Sequence, residues 1–445
     1  MKNNLDLIKA IASDIKNEGG TAYYVGGCVR DEILGKENKD IDIEIFGLKP
    51  QQVKSILSKY GEVNEVGASF GVFMINGYDI DFALPRIEKQ IGKKHTDFEV
   101  SVDPFLSLEE ASKRRDFTIN SLMQDILTEE IIDFWGGLND IKAKKIKHIN
   151  DDTFVEDALR VFRACQFASR FDFKIDKSTL DLCSTLDISN LAKERVYEET
   201  KKALLKGHKP SIFFNYLYEM NKLNEFFIEV KSLKGVAQSP IHHPEGDVWT
   251  HTMMVLDECA KYRDLSSNPL AFMFSGLCHD FGKAVTTTVE KDGKIRSIYH
   301  DVEGVSLSET FLNRLTNDKK IITYVKNMTE LHMRPNMLAK SKASKKSSRK
   351  MFNQSINCED LILLGKCDHL GRDIDEPYDV YESWLIERLK DFKETCSEPL
   401  VKGADLIQMG YKPSKEFGNI LKEAFKLQIS GLNKEQIIKQ LKLQN

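Results

Sequence analysis

The chain has 445 residues, 41% of them hydrophobic and 30% charged, and a formal net charge of −4. At ~100–200 residues per domain this is a globular protein of several folding units, long enough to bury real cores. The slightly acidic balance excludes a uniformly basic nucleic-acid coat but leaves room for a local basic groove that steers phosphate.

The first ~145 residues mix helix and strand, and the rest reads as helical. Leu5 to Asn17 has apolar residues at helical spacing, and Thr21 to Val25 reads as a short strand turned by Gly26-Gly27. Val29 to Leu34 starts a second helix. Asp40 to Phe46 alternates strictly, as a half-buried strand does, and Gly71–Ile75 and Tyr78–Ala83 follow as two more strands. The fold class is therefore α+β, with a small sheet at the N-terminus and an all-α remainder. The Ser- and Lys-rich stretch Lys340–Lys350 reads as an exposed loop entering a helix. No stretch approaches ~20 apolar residues and no signal-peptide pattern opens the chain, so the expectation is a cytoplasmic protein without a membrane span. The eight cysteines form no CxxC pair and read as reduced thiols.

Asp40 and Asp42 stand two apart on one strand, so both face the same side while Ile41, Ile43 and Ile45 face the other. Two acids on a rigid strand suit a pair of divalent cations such as Mg²⁺, whose shells phosphate oxygens complete. Glu44 shares that face, and Asp81 is a candidate third acid. Upstream, Gly26 and Gly27 turn a strand into a helix N-terminus, where backbone N–H groups approach phosphate closely, and Arg30 can fork onto a phosphate one turn later.

The run GGCVRDEILGKENKDIDIE resembles the signature of the class II tRNA nucleotidyltransferase and poly(A) polymerase superfamily. Three further segments agree in order: Lys113 to Asn120 is similar to the RRDFTxN motif, Glu156 to Arg163 to EDxxRxxR, and Glu194 to Glu199 to ERxxxE. The resemblance implies that Asp40 and Asp42 hold catalytic Mg²⁺, that Gly26, Gly27 and Arg30 meet the triphosphate, and that Arg115 and Asp116 meet the nucleotide's phosphate and ribose. Asp157 and Arg160, three apart on an expected helix, would read the base. Cytosine and adenine both place an amino donor beside a ring-nitrogen acceptor, which carboxylate and guanidinium match; guanine and uracil reverse that polarity. Arg163 continues the face. A third arginine often follows in the family where Gln166 stands here.

Seven of the ten histidines lie at or after position 242. The order His251, His279-Asp280, Asp368 resembles the HD phosphohydrolase signature, which implies a site for Mn²⁺, Ni²⁺ or Co²⁺. His300 and His332 are candidates for a second metal; His242 and His243 read as an exposed loop, the alternative being a substrate-side pair. Val401 to Leu406, with Gly410 and Pro413, resembles the family's tRNA-binding tail. The expected division is a nucleotidyltransferase head over 1–145, a neck over 146–220, an HD domain over 221–385 and a tail over 386–445. The expected function is untemplated addition of CCA to tRNA 3′ ends from CTP and ATP, with an associated phosphatase or 2′,3′-cyclic phosphodiesterase activity. Poly(A) addition and partial CC- or A-addition stay open, as does a phosphohydrolase whose front half only binds RNA. Oligomeric state is not legible.

Overall fold

Alternation in the first half builds one twisted sheet. In the computed structural model, which describes residues 2–36, 41–65, 71–90, 98–413 and 415–442, α1 (Lys2–Asn17) leads into β1 (Thr21–Val25), α2 (Gly27–Ile33) and β2 (Ile41–Phe46). Next come α3 (Pro50–Leu57), β3 (Val63–Glu65), β4 (Val72–Ile75) and β5 (Ile80–Ala83). A hairpin of β6 (Arg86–Gln90) and β7 (Phe98–Val102) precedes α4 (Leu108–Lys113), β8 (Met123–Asp125) and β9 (Ile131–Ile132).

Seven strands form the sheet in the order β3-β4-β5-β2-β1-β8-β9, antiparallel except for β2 beside β5. One face is apolar. Ile43 and Ile45 of β2, Phe82 of β5 and Phe73 of β4 pack with Ile8, Ile11 and Ile15 of α1 and Val53 and Leu57 of α3. The opposite face carries Asp42, Glu44 and Asp81, as the period of two dictates. Asp40 lies outside the described residues. Strands β3, β8 and β9 are additions to the expected set; each has only two or three residues, too short to show alternation.

The helical part that follows begins with α5 (Gly137–Lys142), α6 (Asp151–Phe154) and α7 (Arg160–Phe171). Residues 155–159 between the last two are turns, so Asp157 sits before α7 rather than within it. This corrects the expectation that Asp157 and Arg160 share a helix. Asp157 Oδ1 accepts the Leu159 amide at 3.1 Å and its carbonyl accepts the Arg160 amide at 3.0 Å, so the carboxylate serves the helix entry. The chain divides into two units, one of Met1–Glu199 with Ile212–Lys222, the other of Thr200–Ser211 with Leu223–Asn445.

In the second unit, helix Val248–Tyr262 packs against Pro269–Cys278 and Cys358–Leu370, and His300–Leu315 runs along Lys319–Leu331. Phe272, Phe274, Phe281 and Phe311 are fully buried among them. A short hairpin, Thr287–Val289 with Ile295–Ser297, interrupts the helices. The lysine-rich stretch proves more helical than expected: helix Arg334–Lys340 ends where it begins, and Ser344 caps helix Lys345–Gln354. Near the C-terminus, Val401, Leu406, Ala424, Ile437 and Leu441 form a small core of their own. No helix among the described residues is long and apolar enough to cross a membrane.

Candidate functional site

Asp42 and Asp81 are register partners on the parallel strands β2 and β5, so their side chains stand side by side on the polar face. With Glu44 they line a cleft of about 390 Å³ whose other walls carry Arg86, Arg114, Arg115 and Arg160. Acids thus face four guanidiniums across one cavity, the arrangement a polyphosphate with its cations requires. Arg115 reaches Glu44 Oε2 at 3.2 Å, and its buried Nε has no hydrogen-bond partner.

Gly26 precedes α2 as its N-cap and follows Val25, which lines the cleft. Its φ of +69° is left-handed, and a Cβ there would stand 2.7 Å from Arg115 Nη1. Only glycine lets the guanidinium lie against the turn. Arg30 departs from expectation. It is 3% exposed, bonded by Nε to Asp31 at 2.8 Å and by Nη1 to Asn120, and set against the rings of Phe167 and Phe171. Here it braces the back of the glycine turn. Gly27, the first residue of α2, stands directly beside that turn.

Asp116 is also buried, 7% exposed, and accepts from Arg163 at 2.6 Å and Asn120 at 2.9 Å. Burial alone pushes its carboxyl up, but Arg163, Asn120 and Arg160 outweigh that and hold it below the usual value. Arg163 therefore supports Asp116 rather than standing open in the cleft. Asp157 Oδ2 meets Arg195 of the ERVYEE segment at 2.8 Å. Arg160 lines the cleft, anchored on the carbonyls of Thr153 at 2.5 Å and Arg114 at 3.0 Å. Gln166 is buried on α7 with Nε2 unpartnered.

The second site is built from helix ends. His279 caps the C-terminus of Pro269–Cys278, His332 caps that of Lys319–Leu331, and His300 opens its own helix. Each gives Nδ1–H to a carbonyl three residues back: Gly276 at 2.8 Å, Thr329 at 2.7 Å and Ser297 at 2.7 Å. These contacts fix the tautomer and leave Nε2 a bare lone pair directed elsewhere. His251, one turn into helix Val248–Tyr262, has Nδ1 2.8 Å from Glu245 Oε1.

The four expected ligands converge. His251 Nε2 lies 3.1 Å from Asp368 Oδ1, 3.4 Å from His279 Nε2 and 3.7 Å from Asp280 Oδ2. His300 and His332 come within 3.4 and 3.6 Å of Asp280 Oδ1, so they join the site on that carboxylate's other side. Asp280 is buried with neither oxygen in a regular hydrogen bond. Burial raises its carboxyl, yet Lys283 holds it well below the ordinary range, so it is an anion. Imidazole nitrogens around an ionised carboxylate, ion-paired to Lys283 at 2.7 Å, fit a divalent transition metal. His243 was expected in an exposed loop. It is half-buried, bonds Glu245 at 2.8 Å and packs edge-on against His251, and it lines the same cavity of about 560 Å³. Its proximity had no periodic signal, because residues 239–247 are irregular.

Comparison with known proteins bears on the N-terminal unit and on the family of the whole chain. The family model for the poly A polymerase head domain matches residues 22–147. The fold, the glycine turn and the carboxylate-lined cleft define a nucleotidyltransferase, a class whose chemistry requires a divalent metal. The multifunctional CCA protein of Pseudomonas aeruginosa is 30% identical over 404 residues, spanning 86% of this chain and 94% of that protein. That of Pasteurella multocida is 39% identical over 272 residues, covering 59% of this chain and 63% of that protein. The chain belongs to the multifunctional CCA protein family, a family of CCA tRNA nucleotidyltransferases. The CCA-adding enzyme of Bacillus stearothermophilus, solved in complex with CTP, shares the fold with a TM-score of 0.71 at 21% identity, over 100% of this chain and 98% of that one.

Proposed function

We propose that this protein adds C, C and A to the 3′ end of tRNA from CTP and ATP. The observation that carries the reading is the pairing of Asp42 with Asp81 opposite four arginines in one cleft. In each cycle the RNA 3′-hydroxyl oxygen forms a bond to the α-phosphorus, the bond to the β-phosphate bridge breaks, and pyrophosphate leaves. Asp42, Asp81 and, from the sequence, Asp40 would hold Mg²⁺, which when bound favours the alkoxide and stabilises charge on the leaving group. Arg115 and Arg114 neutralise the triphosphate, with Gly26 and Gly27 giving it backbone access beside the N-terminus of α2. Arg160 donates to the base's ring nitrogen, and Asp157 is the carboxylate that accepts from its amino group. Asp116, held by Arg163, accepts from ribose, with Arg30 bracing the turn behind. Incubation of tRNA lacking its tail with labelled CTP and ATP tests the reading: C, C, A in order supports it, and a long run of A or no C overturns it.

A second activity rests on a separate observation, the convergence of His251, His279, Asp280 and Asp368 at one point, with Asp280 and Asp368 lining the adjoining cavity. We infer a phosphoester hydrolase acting on phosphomonoesters or 2′,3′-cyclic phosphodiesters, with Mn²⁺, Ni²⁺ or Co²⁺ held by those residues. The division into head, neck, HD and tail segments belongs to the same reading. Eight free thiols support a reducing, cytoplasmic setting. Hydrolysis of 2′,3′-cyclic AMP in the presence of Ni²⁺, lost in Asp280→Asn, is the check.

A further inference from the structure

Among the cations that line the histidine-lined cavity, Arg372 is tied directly to a metal-ligand candidate, Asp368. Arg372 follows Asp368 by one turn, just past the end of helix Cys358–Leu370. It reaches the site because Gly371 lies against helix Val248–Tyr262: a Cβ on Gly371 would sit 2.5 Å from Val255 Cγ2 and 2.8 Å from the Val255 backbone nitrogen. Val255 is one turn beyond His251, so this close approach brings the start of the loop alongside a metal-ligand helix.

The guanidinium is only partly used. Nη2 donates to Asp368 Oδ2 at 3.2 Å, while Asp368 Oδ1 faces His251. Nε is buried and has no hydrogen-bond partner. An unmet buried donor on a half-buried cation is costly unless a ligand satisfies it. The side chain lines the cavity, as do Asn336, Lys340 and Ser297. Lys283, the cation paired with the ligand Asp280, already joins its Oδ2 at 2.7 Å and Gln238 at 2.7 Å. Arg372 thus has a donor to spare beside the ligand cluster.

We propose that Arg372 is the phosphate-binding arm of this cavity, pinned to Asp368 by one nitrogen and offering the rest of its fork to non-bridging oxygens of the scissile phosphate. The proposal rests on the hydrolase reading for its biological use, but the binding itself is measured separately. The planar fork matches phosphate in two points, and the tether sets its distance from the metal ligands.

The test uses the full-length Ni²⁺-loaded protein without Mg²⁺, comparing wild type with Arg372→Lys and Arg372→Ala. Inorganic phosphate is titrated by calorimetry, bound metal is measured by mass spectrometry, and hydrolysis of 2′,3′-cyclic AMP is followed in parallel. Arg372→Ala is expected to weaken phosphate at least tenfold and raise KM similarly, with metal content at the wild-type level and Arg372→Lys recovering part of the loss. Unchanged phosphate affinity in both variants, or a loss of metal that accounts for the whole effect, overturns the proposal and leaves Arg372 as a brace for Asp368. A wild type that binds phosphate through Arg372 yet hydrolyses nothing overturns the hydrolase reading alone.

Discussion

Asp116 lies within a run of charges, Lys113 to Asp116, that by itself reads as surface. In the fold it is buried under Arg163 and Asn120, and Arg163 also approaches Glu199. Its carboxyl sits below the ordinary 3.8. A depressed folded-state value means the ionised form is favoured by folding, so the contribution is complete above that ordinary value and fades as pH falls through the folded one. Asp116→Asn should therefore cost about 2 kcal/mol at neutral pH. In melting curves taken from pH 7 downward, the gap between the two proteins should narrow only in the acid range, below about 4. A gap that stays constant with pH would contradict the ion-pair account. Asp116 and Arg163 are legible in the sequence through a family motif, but their pairing is not, because the partners are far apart in the chain. Arg30 shows the same limit: its spacing from the glycine turn is legible, its burial against Phe167 and Phe171 is not.

At the scale of elements, the glycine turn and the strand after it were readable because local rules set both. Alternation in IDIEIF names the buried and polar faces, and Gly26 takes a backbone angle that other residues resist. Gly26→Val should strain the turn by about 1–2 kcal/mol and displace Arg115. The expected result is a drop of roughly 100-fold in kcat/KM for CTP, since a misplaced phosphate contact costs on that order. Nucleotide-addition kinetics beside thermal melts would separate the two effects, and full activity would refute the Arg115 contact. The short strands β3, β8 and β9 left no trace in the sequence, because two or three residues are too few to show alternation. The histidine site lies between these cases. His279, His300 and His332 were visible as residues, but their common use of helix ends to fix a tautomer emerges only from the packed helices. That shared device predicts that Thr329 serves the metal site through its carbonyl, while its hydroxyl meets Ser308. Thr329→Val should keep at least half of wild-type metal content in a Ni²⁺ binding assay, whereas His332→Ala should lower affinity about 10- to 100-fold.

The whole chain carries two sets of metal-ligand candidates in two separate units, each with its own core. Chemistry assigned to one unit should survive damage to the other. Asp280→Asn is expected to lower phosphoester hydrolysis by more than ~100-fold while CCA addition continues, and chelation followed by Mg²⁺ alone should restore addition without restoring hydrolysis. The measurement closest to the central claim is incorporation of labelled CTP and then ATP into tRNA lacking its tail, by wild type and by Asp42→Ala. The account predicts C, C and A in order by the wild type, and at least ~1,000-fold slower addition by the variant, because the carboxylate on β2 is a metal ligand. Addition by Asp42→Ala at the wild-type rate would contradict it.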